Sequence, residues 1–260
     1  MAEIRVGIAG ATGYGGQELL RLTARHPHAH VTVAMASSRS EGARTLPGLT
    51  GLWDGGVAAF SIDGLARDAD AVFLALPENA SADIAPRLLE HDIRVFDLSG
   101  SFRLRDAAVR QHWYPKTPAL GDGAGAVYGL TERRRAALKD ARLVACPGCY
   151  PTAALLALEP LAEAGLLEGD VCIDAKSGIS GAGKKPSERT HFSECHGNVS
   201  AYGVFAHRHG VEIEQELGRT VTFVPHLVPL DRGILETIYT RVPDGTSPAA
   251  VVDAFEHAYQ

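Results

Sequence analysis

Over the first half of the chain, apolar residues fall in short β-rich runs separated by longer stretches of helical spacing. Residues 4–9, 31–35, 71–76, 94–98 and 143–145 have the composition of buried strands. Residues 15–25, 81–89 and 131–138 repeat their apolar positions with helical period. This alternation predicts a parallel sheet with helices on both faces, because parallel neighbours can be joined only by crossovers. The Gly-rich stretch 39–64 predicts a long loop with some local structure. Beyond residue 145 the pattern changes. Residues 151–164 read as a long helix, 171–176, 221–225 and 234–242 as strands, and 212–217 as a helix between them. Fewer alternations and longer strands predict a second domain with a mixed or antiparallel sheet.

The chain has 260 residues, 22% of them charged and 45% hydrophobic, with a net charge of −6, an ordinary soluble globular balance. A mildly acidic chain lacks the basic surface that would grip nucleic acid through its phosphates. No apolar run approaches the ~18 residues of a membrane span, and Met-Ala-Glu-Ile-Arg opens directly into a strand pattern instead of a signal core. Four cysteines in a chain this long predict reduced thiols in a cytoplasmic setting instead of a disulfide framework. Glycine, at 28 residues, exceeds the usual ~7%. Backbone that must turn tightly or approach a ligand is the physical reason to want it.

Gly10-Ala-Thr12-Gly13-Tyr14-Gly15-Gly16 lies between the first strand and the first helix. Gly10 permits a tight turn, Gly13 lets backbone approach a pyrophosphate, and Gly16 permits close helix packing, while the helix N-terminus supplies N–H groups and dipole. The spacing is a variant of the dinucleotide-binding fingerprint. It predicts a Rossmann-type parallel-sheet domain over residues 1–148, followed by an α+β domain over residues 149–260. The end of the second strand reads Ser37-Ser38-Arg39-Ser40. Hydroxyls and a guanidinium suit the 2′-phosphate of NADP, whereas NAD calls for an acidic residue there.

Cys146-Pro-Gly-Cys149-Tyr-Pro-Thr follows the fifth predicted strand and opens the long helix. A thiol at a helix N-terminus meets the positive dipole end, which favours the nucleophilic thiolate. Cys149 is therefore the candidate nucleophile. The C-x-x-C spacing also allows a redox pair, or half of a metal site with Cys172 and Cys195. Those two form no second tight pair, so no metal is expected. Gly178 to Lys184 scans as a phosphate loop, but Lys185 stands where magnesium needs Ser or Thr.

These motifs resemble, in order, those of the N-acetyl-γ-glutamyl-phosphate reductases: the glycine loop, Asp97-Leu-Ser99-Gly-Ser-Phe-Arg103, Ala126-Val-Tyr-Gly-Leu130, Pro147-Gly-Cys149-Tyr-Pro-Thr, Ser177-Gly-Ile-Ser180-Gly181-Ala-Gly183, His207-Arg208-His209 and Pro225-His-Leu-Val-Pro229. The wider superfamily includes aspartate-semialdehyde dehydrogenase. The resemblance implies reduction of an acyl phosphate by NADPH, with phosphate released, in arginine biosynthesis. It further implies Ser99, Arg103 and Arg208 on the substrate, Ser180 and Gly181 near the cofactor, and a homodimer or homotetramer. Cys146 departs from the pattern, since the family usually carries Asn there.

An acyl-phosphate reductase also needs an acid/base. Among 11 histidines the candidates are His207 and His209, just before the helix at 212–217, with His209 preferred because it is nearer the helix start. His226 reads as a packing or turn residue. The rival functions are an aspartate-semialdehyde dehydrogenase, a nucleotide-binding redox sensor using Cys146 and Cys149, and an inactive fragment. The fragment arises because family members usually continue for several tens of residues, so the resemblance implies that the second domain lacks its C-terminal part. Thr246-Ser247-Pro248 predicts a last helix with Val251, Val252, Phe255 and Tyr259 on one face.

Overall fold

A computed structural model of the chain describes residues 3–36, 45–118 and 125–260. It divides into two compact units, one of residues 1–129 and 134–147, the other of residues 130–133 and 148–260.

The first unit is built on a seven-stranded, all-parallel sheet. Its strands are β1 (Ile4–Ala9), β2 (Ala29–Ala36), β3 (Val57–Ala59), β4 (Ala71–Leu74), β5 (Arg94–Asp97), β6 (Val127–Tyr128) and β7 (Leu143–Ala145), in the order β3-β2-β1-β4-β5-β7-β6. The strand order reverses direction at β1, which starts the chain and pairs with both β2 and β4, so the loop after β1 lies at the switch point where such sheets bind ligands. Helices α1 (Tyr14–Thr23), α2 (Ile62–Asp68), α3 (Glu78–Glu90) and α4 (Ala107–Trp113) belong to this unit. Ile8, Ala9, Leu65, Val72, Leu74, Leu88 and Val95 form its buried core.

The five expected strands are all present. The stretch expected as a loop over 39–64 holds, in its described part, a 3-10 turn at Pro47–Leu49, edge strand β3 and the start of α2. Helices α2 and α4 escape periodicity because each has only seven residues. Their signals are instead capping side chains: Ser61 accepts from the Gly64 N–H, and Asp106 from the Val109 N–H.

Helix α5 (Thr131–Leu138) carries a kink at Arg134, where the chain passes from one unit to the other. The second unit holds α6 (Cys149–Glu163), α7 (Phe192–Cys195), α8 (Arg208–Leu217) and α9 (Pro248–Ala258). Its mixed sheet runs β11-β8-β10-β9, with β8 (Glu168–Ser177), β9 (Ser200–Ala201), β10 (Thr222–Leu227) and β11 (Ile234–Arg241). β10 is parallel to β8, and β11 antiparallel to it. Arg133, itself part of this unit, pairs with Glu159 at 3.3 Å and with Glu163.

Pro160 has no N–H to give the carbonyl of Leu156 one helical turn earlier. The Tyr259 hydroxyl donates to that carbonyl instead, tying the end of α9 to α6. Of the apolar face expected on α9, Val252 is turned out, being 55% exposed, while Val251 and Phe255 are half-buried. No helix of the described residues is long and apolar enough to cross a membrane.

Candidate active site

In the first unit, Gly10 has φ +91°, and a Cβ there would lie 2.2 Å from the Ala75 carbonyl oxygen. Gly16 is held equally closely, with a Cβ 2.2 Å from the Gly10 carbonyl oxygen. These two glycines are required by the turn and the helix packing. At Gly13 a Cβ would meet the Gly10 carbonyl oxygen at 3.4 Å, about van der Waals contact, so packing within the chain makes no such demand there. Gly13 is the N-cap of α1 and has no side chain to cap the helix, so its first turn presents backbone N–H groups and the positive dipole end. Thr12 accepts at its carbonyl from Gln17, and Tyr14 and Gly15 begin the helix. The cradle fits a dinucleotide pyrophosphate. Ser37, Ser38 and Arg39 lie outside the described residues.

Ser99 and Arg103, the residues expected on the substrate, are both buried and hydrogen-bonded within the fold. Ser99 donates from Oγ to Asp97 Oδ2 at 2.7 Å. Arg103 donates from Nε to the Cys146 carbonyl at 2.7 Å and from Nη2 to the Leu98 carbonyl at 2.8 Å. What these side chains hold is the pair of turns at the ends of β5 and β7. Burial, with the Asp97 carboxyl adding to it, pushes the Cys146 thiol up to about 12 against the pull of Arg103. Cys146 therefore stays a protonated thiol at neutral pH.

In the second unit, Cys149 is the first residue of α6 and is exposed, between buried Gly148 and buried Tyr150. Gly148 is the N-cap and supplies no side chain, so the thiol stands where helix N–H groups and dipole favour its anion. Helix α8 then brings two side chains of one face, His209 and Glu212, onto Gly148. Glu212 is buried and accepts the Gly148 N–H at 2.7 Å. The buried His209 ring packs so closely that a Cβ on Gly148 would lie 2.6 Å from Nε2.

His207 does something different. It is the N-cap of α8, its Nδ1 accepting from the His209 N–H at 3.1 Å. Its ring meets Tyr150, Tyr202 and Phe223 edge-on at 5.9, 5.5 and 5.6 Å. Burial, followed by the charge of Arg208, pushes His207 down to about 4, so it is neutral across the physiological range. Of the two expected histidines, the structure thus sets His209 against the nucleophile's turn and uses His207 to cap the helix. Glu212 was not anticipated; an acidic residue three positions after His209 on the same helix was the signal available.

Arg208 is the exposed first residue of α8. Ser180 and Gly181 lie in a 3-10 turn at Ile179–Ala182, stitched to the 230–233 loop by the Ser180 hydroxyl, which donates to the Asp231 carbonyl at 2.6 Å. His226 is a strand residue, not a turn residue: it sits on β10, with Nδ1 3.2 Å from both the Ala175 carbonyl and Asp174 Oδ1.

Comparison with known proteins follows the same division. Residues 5–141 match the family described as semialdehyde dehydrogenase, NAD binding domain, and residues 149–260 match semialdehyde dehydrogenase, dimerisation domain. The N-acetyl-gamma-glutamyl-phosphate reductase of Brevibacillus brevis is 43% identical over 267 residues, covering 98% of this chain and 77% of its own. That of Desulforudis audaxviator is 48% identical over 250 residues, covering 92% and 72%. The chain belongs to this reductase family. Among solved structures, aspartate semialdehyde dehydrogenase II of Vibrio cholerae, complexed with ASA, superposes with a TM-score of 0.73 at 18% identity, covering 99% of this chain and 80% of that one. The aspartate semialdehyde dehydrogenase of Candida albicans, solved with NADP, gives 0.68 at 18% identity, covering 97% and 76%. At that identity the likeness is one of fold.

Proposed function

We propose that the chain reduces N-acetyl-L-glutamyl 5-phosphate to N-acetyl-L-glutamate 5-semialdehyde with release of phosphate, an NADPH-dependent step of arginine biosynthesis, through a thioester on Cys149. The observation that carries this is the uncapped start of α6, with Cys149 exposed on it and His209 and Glu212 both seated on Gly148.

The glycine loop from Gly10 to Gly16 would hold the NADP pyrophosphate, with Ser37, Ser38 and Arg39 at the 2′-phosphate and Ser180 and Gly181 nearer the nicotinamide. When bound, the cofactor supplies hydride. The Cys149 thiolate attacks the acyl carbon, breaks its bond to the phosphate oxygen and takes the acyl group as a thioester. His209 takes the thiol proton and returns one to the departing oxygen. First-turn N–H groups of α6 steady the oxyanion that develops on the acyl group. Glu212 holds the Gly148 turn that aims the thiol, and Arg103 holds the carbonyl of Cys146 before it. We assign Arg208 to the substrate and reserve His207 for the fold of the loop.

The same function carries with it a cytoplasmic location and a homodimer or homotetramer. The outward face of β11 supports self-association, since Leu235 and Tyr239 are 68% and 60% exposed within the unit that matches a dimerisation domain. The decisive test of function is the reverse reaction. N-acetylglutamate semialdehyde, NADP and phosphate give NADPH with the wild type and none with Cys149→Ser; an active Ser variant overturns the covalent mechanism.

A further inference from the structure

Arg189 lies in the 3-10 turn Glu188–Thr190 of the second unit. Its neighbours fix that turn by themselves. The Ser187 N–H donates to Thr190 Oγ1 at 3.1 Å, the two hydroxyls lie 3.0 Å apart, and the Thr190 N–H returns to the Ser187 carbonyl at 3.1 Å. From this short, tied turn the guanidinium carbon reaches 5.3 Å from the centre of the Tyr202 ring, within the range of a cation–π contact. The Tyr202 hydroxyl lies 3.0 Å from that of Tyr150, the residue after Cys149, and the Tyr202 ring meets His207 edge-on. The Tyr202 phenol feels both the Cys149 thiol and the Arg189 charge. Arg189 is thus one aromatic ring removed from the wall of the nucleophile's site.

The guanidinium has five N–H donors and, among the described residues, no hydrogen-bond or ion-pair partner. The aromatic face orients the cation and leaves its edge for an anion. A glutamyl phosphate is anionic at both ends. Its phosphoryl group must meet Cys149 and the amides that begin α6, whereas its α-carboxylate sits at the far end of the chain and needs a cation displaced from the thiol. Planar guanidinium matches carboxylate in a two-point contact.

We propose that Arg189, held on the face of Tyr202, binds the α-carboxylate of the substrate and so sets which acyl phosphates the site accepts. The assignment rests on the reaction proposed above. It is tested by steady-state kinetics with N-acetylglutamate semialdehyde, NADP and phosphate, and with the semialdehyde whose α-carboxylate is converted to a carboxamide. Arg189→Met should raise KM for the semialdehyde by about tenfold or more, the loss of one charge-assisted contact, and leave KM for phosphate and NADP unchanged. The carboxamide should show the same KM with wild type and variant. Arg189→Lys, which keeps the charge without the fork, should fall between. An unchanged semialdehyde KM in Arg189→Met overturns the assignment, as does a rise in the phosphate KM instead. A wild type that turns over no semialdehyde overturns the reaction itself; an active wild type matched by Arg189→Met overturns only the role of Arg189.

Discussion

Replacing Gly148 by alanine tests whether His209 must lie where it does. The φ of Gly148 is −62°, ordinary for alanine, so the substitution strains no backbone. Its added methyl would meet His209 at 2.6 Å from Nε2, 2.8 Å from Cδ2 and 2.9 Å from Cε1, all closer than van der Waals contact. The ring belongs to a buried side chain on the same helix face as Glu212, whose carboxylate already holds the Gly148 N–H, so relief must come from the imidazole turning or from α8 shifting. Overpacking of this kind costs about 1–3 kcal/mol of stability, to which poorer capping by alanine adds about 1 kcal/mol. The larger expected effect is on kcat. A misplaced acid/base forfeits about 10²–10⁴-fold, equivalent to about 3–5 kcal/mol of barrier. The assay is NADPH formation from the semialdehyde, run on Gly148→Ala, His209→Ala and the double variant. If the methyl acts through His209, the double variant is no slower than His209→Ala alone. Losses that add, or a Gly148→Ala enzyme with normal kcat, would falsify the assignment of proton transfer to His209.

Other outcomes follow from single features. Glu212→Leu leaves the buried Gly148 N–H without its acceptor and should cost about 1–3 kcal/mol in urea unfolding; Glu212→Gln keeps an oxygen there and should cost less, and equal stability of Leu and wild type would contradict this. At pH 8, iodoacetamide with peptide mapping should modify Cys149 first and spare Cys146, whose thiol burial pushes to about 12; the reverse order would place the nucleophile at the wrong cysteine. Glu236 on β11 has both carboxyl oxygens buried without a hydrogen-bond partner among the described residues, and burial pushes it from 4.5 up to about 8. A carboxyl raised on folding binds more protons folded than unfolded, so its contribution to stability declines as pH rises from 4.5 to about 8 and is level above that. Glu236→Gln should flatten this slope in denaturant midpoints taken from pH 5 to 9, and an unaltered slope counts against it. His207 carries the opposite sign: lowered on folding from 6.5 to about 4, it costs stability as pH falls through that interval, and His207→Asn should reduce the loss.

Much of the fold was legible because parallel strands buried on both faces leave uninterrupted apolar runs, and five of the first sheet's seven strands were found from them. The two not found, β3 and β6, are three and two residues long and are held by pairing with longer neighbours, not by composition. The glycine loop was readable for a similar reason: Gly10 and Gly16 answer to a steric need that no other residue meets. Cys149 could be placed from its position before a helix. Which histidine packs on Gly148 was readable only as a preference for His209, since residues two apart on a loop are equivalent until one becomes the N-cap. Ser99 and Arg103 show the limit more sharply. A serine and an arginine after a strand read as anion binders, and their hydrogen bonds to Asp97 and to the Cys146 carbonyl come from contacts that only the fold brings together.

The most direct test of a Cys149 thioester is to withhold phosphate. With N-acetylglutamate semialdehyde and NADP alone, oxidation should stop after a burst of NADPH equal to the active sites present, and mass spectrometry of the digest should find the N-acetylglutamyl group on the Cys149 peptide, discharged when phosphate is added. A wild type that turns over fully with phosphate but shows neither burst nor acylated Cys149 without it would contradict the covalent mechanism.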